Sequence, residues 1–402
     1  MLFRSLIFPN FRNYFIGHTL STLGTWIQQV ALAWLVYQLT HSPALLGLSS
    51  FLALFPQLVV SPLVGAVIDT LNKRIALIVV QALFLIQALL LAYLTYFNLL
   101  STSSIIALAL FLGLLTAIDT PLRQSFISEL IQDRQYIGNA LALNAMIFNS
   151  CRFIGPPIAG LLLAVSNPFT CFVFNAVSYL FLMLALLLMR NIQATQATGK
   201  LRQVFQEGYG FIFKNQDYKR MMIGIACLNF TASSYVALLP ILAKDYLHGD
   251  AKILGYLWGM AGVGSLLSSL LLAGSQNDER IHQRIFYSKC LCGLGLIFLS
   301  TLNLFSGYLL ALFLLGFGIS TANVSTNILI QKNTPAELRG RSVSIYTAIR
   351  FGFDALGGLI AGAIASLYSA KWALFFFTVL LCLYLLHQLP QHISGKIKGQ
   401  TS

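Results

Sequence analysis

Charge is the scarcest commodity in this chain: of its 402 residues only 9% are charged, and acids number twelve. A water-soluble domain carries about 25% charged residues, so a folded soluble surface is excluded. Cysteine is sparse as well. The six cysteines, Cys151, Cys171, Cys227, Cys290, Cys292 and Cys382, lie in apolar stretches and lack metal-ligand spacing apart from one Cys-Leu-Cys pair. They read as buried free thiols. There is no His-x-x-x-His or HExxH run, no Gly-x-Ser-x-Gly elbow and no paired catalytic carboxylates, so an enzyme working within a membrane finds no machinery here. A channel would need a repeated filter loop or a ring of like charge, and neither is present. Catalytic residues, metal ligands and cofactors are therefore not expected.

What remains is apolar. Hydrophobic residues make up 57% of the chain, and the mean hydropathy is +0.78. Crossing a bilayer takes about 20 apolar residues per helix, and 402 residues accommodate about twelve such helices with short loops. The pattern predicts helices at 14–38, 43–68, 75–98, 101–123, 138–165, 169–190, 219–243, 252–274, 286–305, 308–330, 342–367 and 371–389. The start, MLFRSLIFPNFRNYF, has no clean apolar core followed by a small-residue cleavage site, and reads as a retained cytoplasmic lead-in.

The formal charge of +13 would suggest nucleic acid in a soluble protein, but no basic patch is interleaved with aromatics. Positive residues instead sort by side. With the N-terminus inside, twenty Lys and Arg fall at cytoplasmic loops and helix ends, against three outside: Lys244, Lys252 and Lys371. That asymmetry follows the positive-inside rule and puts both termini in the cytoplasm.

The chain also divides. A connector over 191–218 separates six helices (1–190) from six (219–402). Within it Leu201, Val204, Phe205, Gly208, Phe211 and Ile212 recur at helical spacing, as in an amphipathic helix on the inner membrane surface. Gly155-Pro-Pro-Ile-Ala-Gly160 aligns with Gly357-Gly-Leu-Ile-Ala-Gly362 at an offset of 202 residues, close to half the chain. The same offset sets Arg152 opposite Asp354. A duplicated six-helix unit around a midplane site is one plan for secondary carriers.

Three motifs carry a resemblance. Gly65-Ala-Val-Ile-Asp69-Thr-Leu-Asn-Lys73-Arg74, between the second and third helices, resembles the loop signature of the major facilitator superfamily, with Thr70 and Asn72 where Arg and Gly are usual. Asp69 would accept from the amides and favour the positive end of a neighbouring helix. The resemblance implies that this is the eleventh, starting near Arg341, in a contact that breaks as the halves rock. Arg152-Phe-Ile-Gly155-Pro156-Pro157-Ile-Ala-Gly160 looks like a shortened form of the superfamily's exporter motif, in which small residues admit a neighbouring helix. The usual upstream Gly is Cys151 here. Ala117-Ile-Asp119-Thr-Pro121-Leu-Arg123 and QKNTPAELRGR at 331–341 are similar to the branch of enterobactin exporters, macrolide efflux pumps and the lysophospholipid carrier.

That resemblance implies an all-α membrane protein of twelve transmembrane helices in two pseudo-symmetric bundles. The expected activity is proton-coupled export of a small amphiphilic molecule, a siderophore or drug-like compound as in multidrug resistance, by a monomer in the bacterial inner membrane. Lysophospholipid flipping on the same fold is the rival. Gly65, Asp69, Lys73, Arg74, Arg123, Gly155, Pro156, Gly160 and Arg341 would serve the conformational cycle. Charges within a membrane are costly unless paired or facing water, which singles out Asp119, Arg152, Arg350 and Asp354. Asp119 and Arg123 are four apart, as are Arg350 and Asp354, so either pair could be a structural salt bridge. Alternatively Asp119, or after it Asp354, exchanges protons, with Arg152 and Arg350 as charge partners. Family geometry places Trp26, Gln28, Gln29, Tyr37, Asn229, Tyr235, Asn323 and Asn327 toward a central cavity of amides and aromatics with little fixed charge. His18 is expected to be structural.

Overall fold

The computed structural model describes residues 4–68, 71–131, 133–189, 215–273 and 281–399. Asp69 and most of the connector, including its candidate amphipathic stretch, lie outside the described residues, as does the side chain of Arg341. Among the described residues twelve long helices follow one another: α1 (Pro9–Thr40), α2 (Pro43–Val67), α3 (Lys73–Tyr96), α4 (Thr102–Leu130), α5 (Ile137–Val165), α6 (Pro168–Leu187), α7 (Gln216–Tyr246), α8 (Ala251–Ala273), α9 (Ile281–Thr301), α10 (Phe305–Asn333), α11 (Ala336–Leu367) and α12 (Ala370–Gly399). Eleven of them are long and apolar enough to cross a membrane. The other is α1, whose hydroxyls and amides (Ser21, Thr22, Thr25, Gln28, Gln29) dilute its hydropathy.

Local chemistry sets the helix ends. Ser42, Asn72 and Asn167 each accept a backbone N–H of the first turn of α2, α3 and α6, the usual way to satisfy the orphan donors there. Asn72, which departs from the family loop signature, thereby acts as the α3 cap. Prolines open α1, α2 and α6 at positions that need no donor. Several helices outrun the expected boundaries. α4 continues to Leu130 because Leu122, Phe126, Ile127 and Leu130 keep one buried stripe, which carries Arg123 inside the helix. α7 opens at Gln216, breaks at Ser233–Ser234, resumes over Tyr235–Ile241 and ends in a wide π-turn over Leu242–Tyr246.

The helices form two bundles, α1–α6 and α7–α12, which meet along two seams. On one, Gly160 of α5 lies against α8: a Cβ there would fall 2.8 Å from the Ala251 carbonyl oxygen and 3.1 Å from the Gly255 Cα. On the other, a Cβ on Gly362 of α11 would fall 2.8 Å from the Gly47 Cα of α2. Gly160 and Gly362 are mates in the 202-residue repeat. A second pair of mates behaves alike: Gly155 admits Trp26 of α1, its would-be Cβ 2.7 Å from the Trp26 Cβ, and Gly357 admits the Phe230 backbone of α7. The duplication read from a short Gly/Ala match is thus a spatial one.

Candidate functional site

Each bundle is locked by its own buried polar network. In the first, Gln28 of α1 donates to Gln87 of α3 (3.1 Å) and accepts from Asn175 of α6 (2.8 Å). In the second, Asn229 of α7 and Asn323 of α10 exchange amide hydrogen bonds of 3.1 and 3.2 Å, and the Tyr346 hydroxyl of α11 donates to the Asn323 carbonyl. Gln28, Asn229 and Asn323 are at most 2% exposed. They were expected in the central cavity, and the structure turns them into the bundles instead. Buried amides are costly unless satisfied, and here Gln28, Asn229 and Asn323 have amide partners, while Gln87 Nε2 is left without one.

Asp119 is likewise turned inward. Its carboxylate accepts from the Arg123 guanidinium and from Gln81 Nε2 at 2.8 Å, while Arg123 also donates to His18 Nδ1 and to Gln81 Oε1. Tyr14 stacks on His18 with ring centroids 5.2 Å apart. The whole cluster sits between α1, α3 and α4, with Asp119 and Arg123 both 8% exposed. Of the two alternatives for this pair, the salt bridge is the one seen. Its counterpart on α11 differs: Arg350 and Asp354 form no ion pair with each other, and Arg152 is also outside the ion pairs of the described residues.

The basic pair after α2 has two separate partners. Lys73 ion-pairs with Glu129 at the end of α4 (2.7 Å), both side chains 3% exposed. Arg74 donates to the Leu186 and Leu187 carbonyls at the end of α6, at 2.8 and 2.9 Å. A cation on unsatisfied terminal carbonyls also meets the negative end of that helix dipole.

Tyr37, another residue expected in the cavity, closes one end of the cleft. Its hydroxyl donates to Asp245 at the end of α7, and Lys244 lies 5.8 Å from its ring. This tie joins the two halves at the face opposite the chain termini, where the Gly160 and Gly362 seams also close. Asp245 went unnoticed in the sequence, where one acid at a helix end carries no signal. On the same face Lys371 donates to the Leu299 and Leu302 carbonyls at 2.7 and 2.6 Å, fastening α12 to the end of α9. A depression of about 460 Å³ near Thr40, Ser42 and Thr102 lies at this rim, where the Thr40 and Ser42 hydroxyls bond to the ends of α1 and α2.

At mid-depth the halves present a different set to the cleft. Arg152 of α5, with its guanidinium carbon 5.8 Å from the Trp26 ring, faces Tyr235 of α7. Trp26 meets Trp258 of α8 and Phe148 of α5 edge-on, at 5.9 and 5.7 Å between centroids. Asp354 of α11 lies within electrostatic reach of both Arg152 and Arg350. Trp26, Gln29, Arg152, Trp258, Arg350 and Asp354 are all partly exposed, as is Asn327 toward the terminus side, where it accepts from Gln331 at 3.1 Å. The site is therefore more charged than a cavity of amides and aromatics. Among the described residues no group of His, Cys, Asp and Glu could hold a metal ion.

Two matched six-helix bundles are the architecture of a secondary carrier, and the model of the transmembrane secretion effector family matches residues 3–395. The chain belongs to that family. It is a multi-pass membrane protein of the major facilitator superfamily. The staphyloferrin A transporter of Staphylococcus aureus (strain NCTC 8325 / PS 47) is 29% identical over 362 residues, covering 88% of this chain and 89% of that protein. An uncharacterized MFS-type transporter, YfiS, of Bacillus subtilis (strain 168) is 24% identical over 366 residues, covering 83% and 82%. The crystal structure of the nucleoside transporter NupG is similar in fold, with a TM-score of 0.74 at 14% identity, covering 94% of this chain and 99% of that one. A bacterial homologue of the lysosomal transporter Spinster, described as inward-facing and unoccupied, has a TM-score of 0.71 at 13% identity, covering 94% and 96%. These relatives and neighbours are transporters, not enzymes.

Proposed function

We propose that this member of the secretion effector family exports a small amphiphilic molecule of the siderophore or drug-like class across the bacterial inner membrane by proton antiport. The observation that carries the reading is the cleft: charged and aromatic groups from both halves converge at mid-depth, and the halves are tied together on the face away from the termini. With both termini cytoplasmic, as the positive-inside count argues, this is the state that loads from inside the cell. The similarity to a staphyloferrin A transporter supports a siderophore-like cargo.

In this reading the Gly160 and Gly362 seams are where the halves pivot. The loop from Gly65 to Arg74 and the start of α11 near Arg341 separate and rejoin at the other face, and Lys73, Arg74 and Arg123 hold the first bundle rigid while they do. Asp354 is the first choice for proton exchange, because it stands at mid-depth in the cleft without an ion-pair partner. Asp119 becomes the second, since Arg123 and Gln81 already satisfy it.

The test has two arms. Cells lacking the protein are grown under iron limitation, and the compound retained inside them is identified by mass spectrometry. Purified protein in liposomes then moves that compound under an imposed pH gradient. Asp354→Asn is expected to abolish gradient-driven transport while sparing exchange without a gradient. Intact gradient-driven transport in both Asp354→Asn and Asp119→Asn would remove both carboxylates from coupling. Retention of no compound other than lysophospholipid would replace the exporter by a lipid flippase.

A further inference from the structure

The charge at the centre of the cleft does not balance. Two guanidiniums, Arg152 and Arg350, lie within electrostatic range of one carboxylate, Asp354, and none of the three takes part in an ion pair. All three sit near the middle of their helices, with Asp354 the mate of Arg152 in the 202-residue repeat. Arg152 and Asp354 consequently lie at matching depths on the two sides of the pseudo-two-fold axis, with Arg350 about one turn from Asp354. An uncompensated cation at this depth is costly, so the arrangement is most stable with another anion present. A guanidinium fork suits a planar carboxylate, which it can bind through two parallel hydrogen bonds.

The surroundings fit the same occupant. The Tyr235 hydroxyl faces Arg152 from the second half. Trp258, its ring centroid 5.9 Å from that of Trp26, has a buried Nε1 with no hydrogen-bond partner. A buried indole N–H left unsatisfied costs about 1–3 kcal/mol, and a carboxylate oxygen would satisfy it. Trp26 and Phe148 then provide an apolar wall for the remainder of the molecule.

We propose that Arg152 and Arg350, supported by Tyr235 and Trp258, form a carboxylate-binding subsite shared by the two halves, so that the transported molecule is an organic anion. The assignment rests on the transporter reading above and narrows its substrate class. One arginine comes from α5 and the other from α11, so a carboxylate held by both ties the halves together, and its release requires them to part. Asp354 is the built-in competitor. It lies within electrostatic reach of both arginines and competes with the ligand for them.

The probe is citrate, titrated into the purified full chain in detergent and read by isothermal calorimetry. Trimethyl citrate serves as the uncharged control, and inorganic phosphate and lysophosphatidylglycerol as other sources of an oxyanion. Citrate is expected to bind and its trimethyl ester not to. Arg152→Gln and Arg350→Gln should each weaken citrate at least tenfold, and Arg152→Lys less than Arg152→Gln. Asp354→Asn, which removes the competitor, should tighten it severalfold, a gain that a misfolded variant cannot produce. The proposal is overturned by equal binding of citrate and its ester, by citrate affinity indifferent to both arginine substitutions, or by no citrate binding in the wild type. Binding of phosphate or lysophosphatidylglycerol in place of citrate would overturn it too. Export that persists in cells alongside any of those results removes the anion subsite alone. Citrate binding that obeys the arginines, in a chain that exports nothing, supports the subsite and removes only the exporter reading.

Discussion

Replacing Gly160 by alanine measures how tightly the two halves are held on the closed face. A Cβ at this position would meet the Ala251 carbonyl oxygen at 2.8 Å, the Gly255 Cα at 3.1 Å and the Lys252 Cα at 3.2 Å, all backbone atoms that no rotamer change can move. Ordinary carbon contacts lie at about 3.5–4.0 Å, and a gap of 0.5–1 Å forfeits about a quarter to a half of each dispersion well. α5 and α8 must therefore separate by several tenths of an ångström along the seam. Overpacking of this kind costs about 1–3 kcal/mol, and the cost falls only on the conformation in which the seam is closed. A bias of about 2 kcal/mol changes the ratio of closed to open molecules by about thirtyfold.

Gly138 is the internal control. It lies on the same helix, and a Cβ there meets nothing within 4 Å, so Gly138→Ala should leave the ratio unchanged. Spin labels at Ser103→Cys on α4 and Lys252→Cys on α8, both exposed on the closed face, report the distance between halves by double electron–electron resonance. The short-distance population should fall in Gly160→Ala and hold in Gly138→Ala. By the repeat, Gly362→Ala should reproduce the Gly160→Ala result from the other seam. Equal populations in Gly160→Ala and Gly138→Ala would refute the close-packed seam.

The same label pair tests the tie between Tyr37 and Asp245. Tyr37→Phe removes a hydrogen bond to a carboxylate that is largely exposed, so the bias should be only about 1 kcal/mol, roughly a fivefold loss of the closed population. A population unchanged by Tyr37→Phe would show that the glycine seams hold this face without the tie. In the first bundle, Asp119→Asn leaves Arg123 charged and without its carboxylate between α1, α3 and α4. Breaking a buried pair costs about 3–5 kcal/mol, so the thermal midpoint of the purified protein should drop markedly. The double variant Asp119→Asn/Arg123→Gln should recover part of that loss. A double variant less stable than Asp119→Asn alone would mean that Arg123 has a stabilising role beyond the pair.

By itself the sequence determined the large-scale design, because the forces that set it are one-dimensional. A run of apolar residues of bilayer length has to become a helix, since backbone donors find no water in the hydrocarbon. Twelve helices, their division into six and six and the pairing of Arg152 with Asp354 across the repeat were all legible on that basis. Which face each helix turns inward was not legible. Gln28 and Gln29 are adjacent in sequence, yet one residue rotates the side chain by about 100°, and so Gln28 is sealed against Gln87 and Asn175 while Gln29 stays partly open. Tyr37 and Asp245, about 200 positions apart, meet only because both helices end on the same face. Asp119 and Asp354 each have an arginine four residues away, and the sequence put Asp119 first of the two. The tertiary structure separated them, since only α4 has Gln81 and His18 packed beside its pair. Packing decided which of the two carboxylates is satisfied by its neighbours.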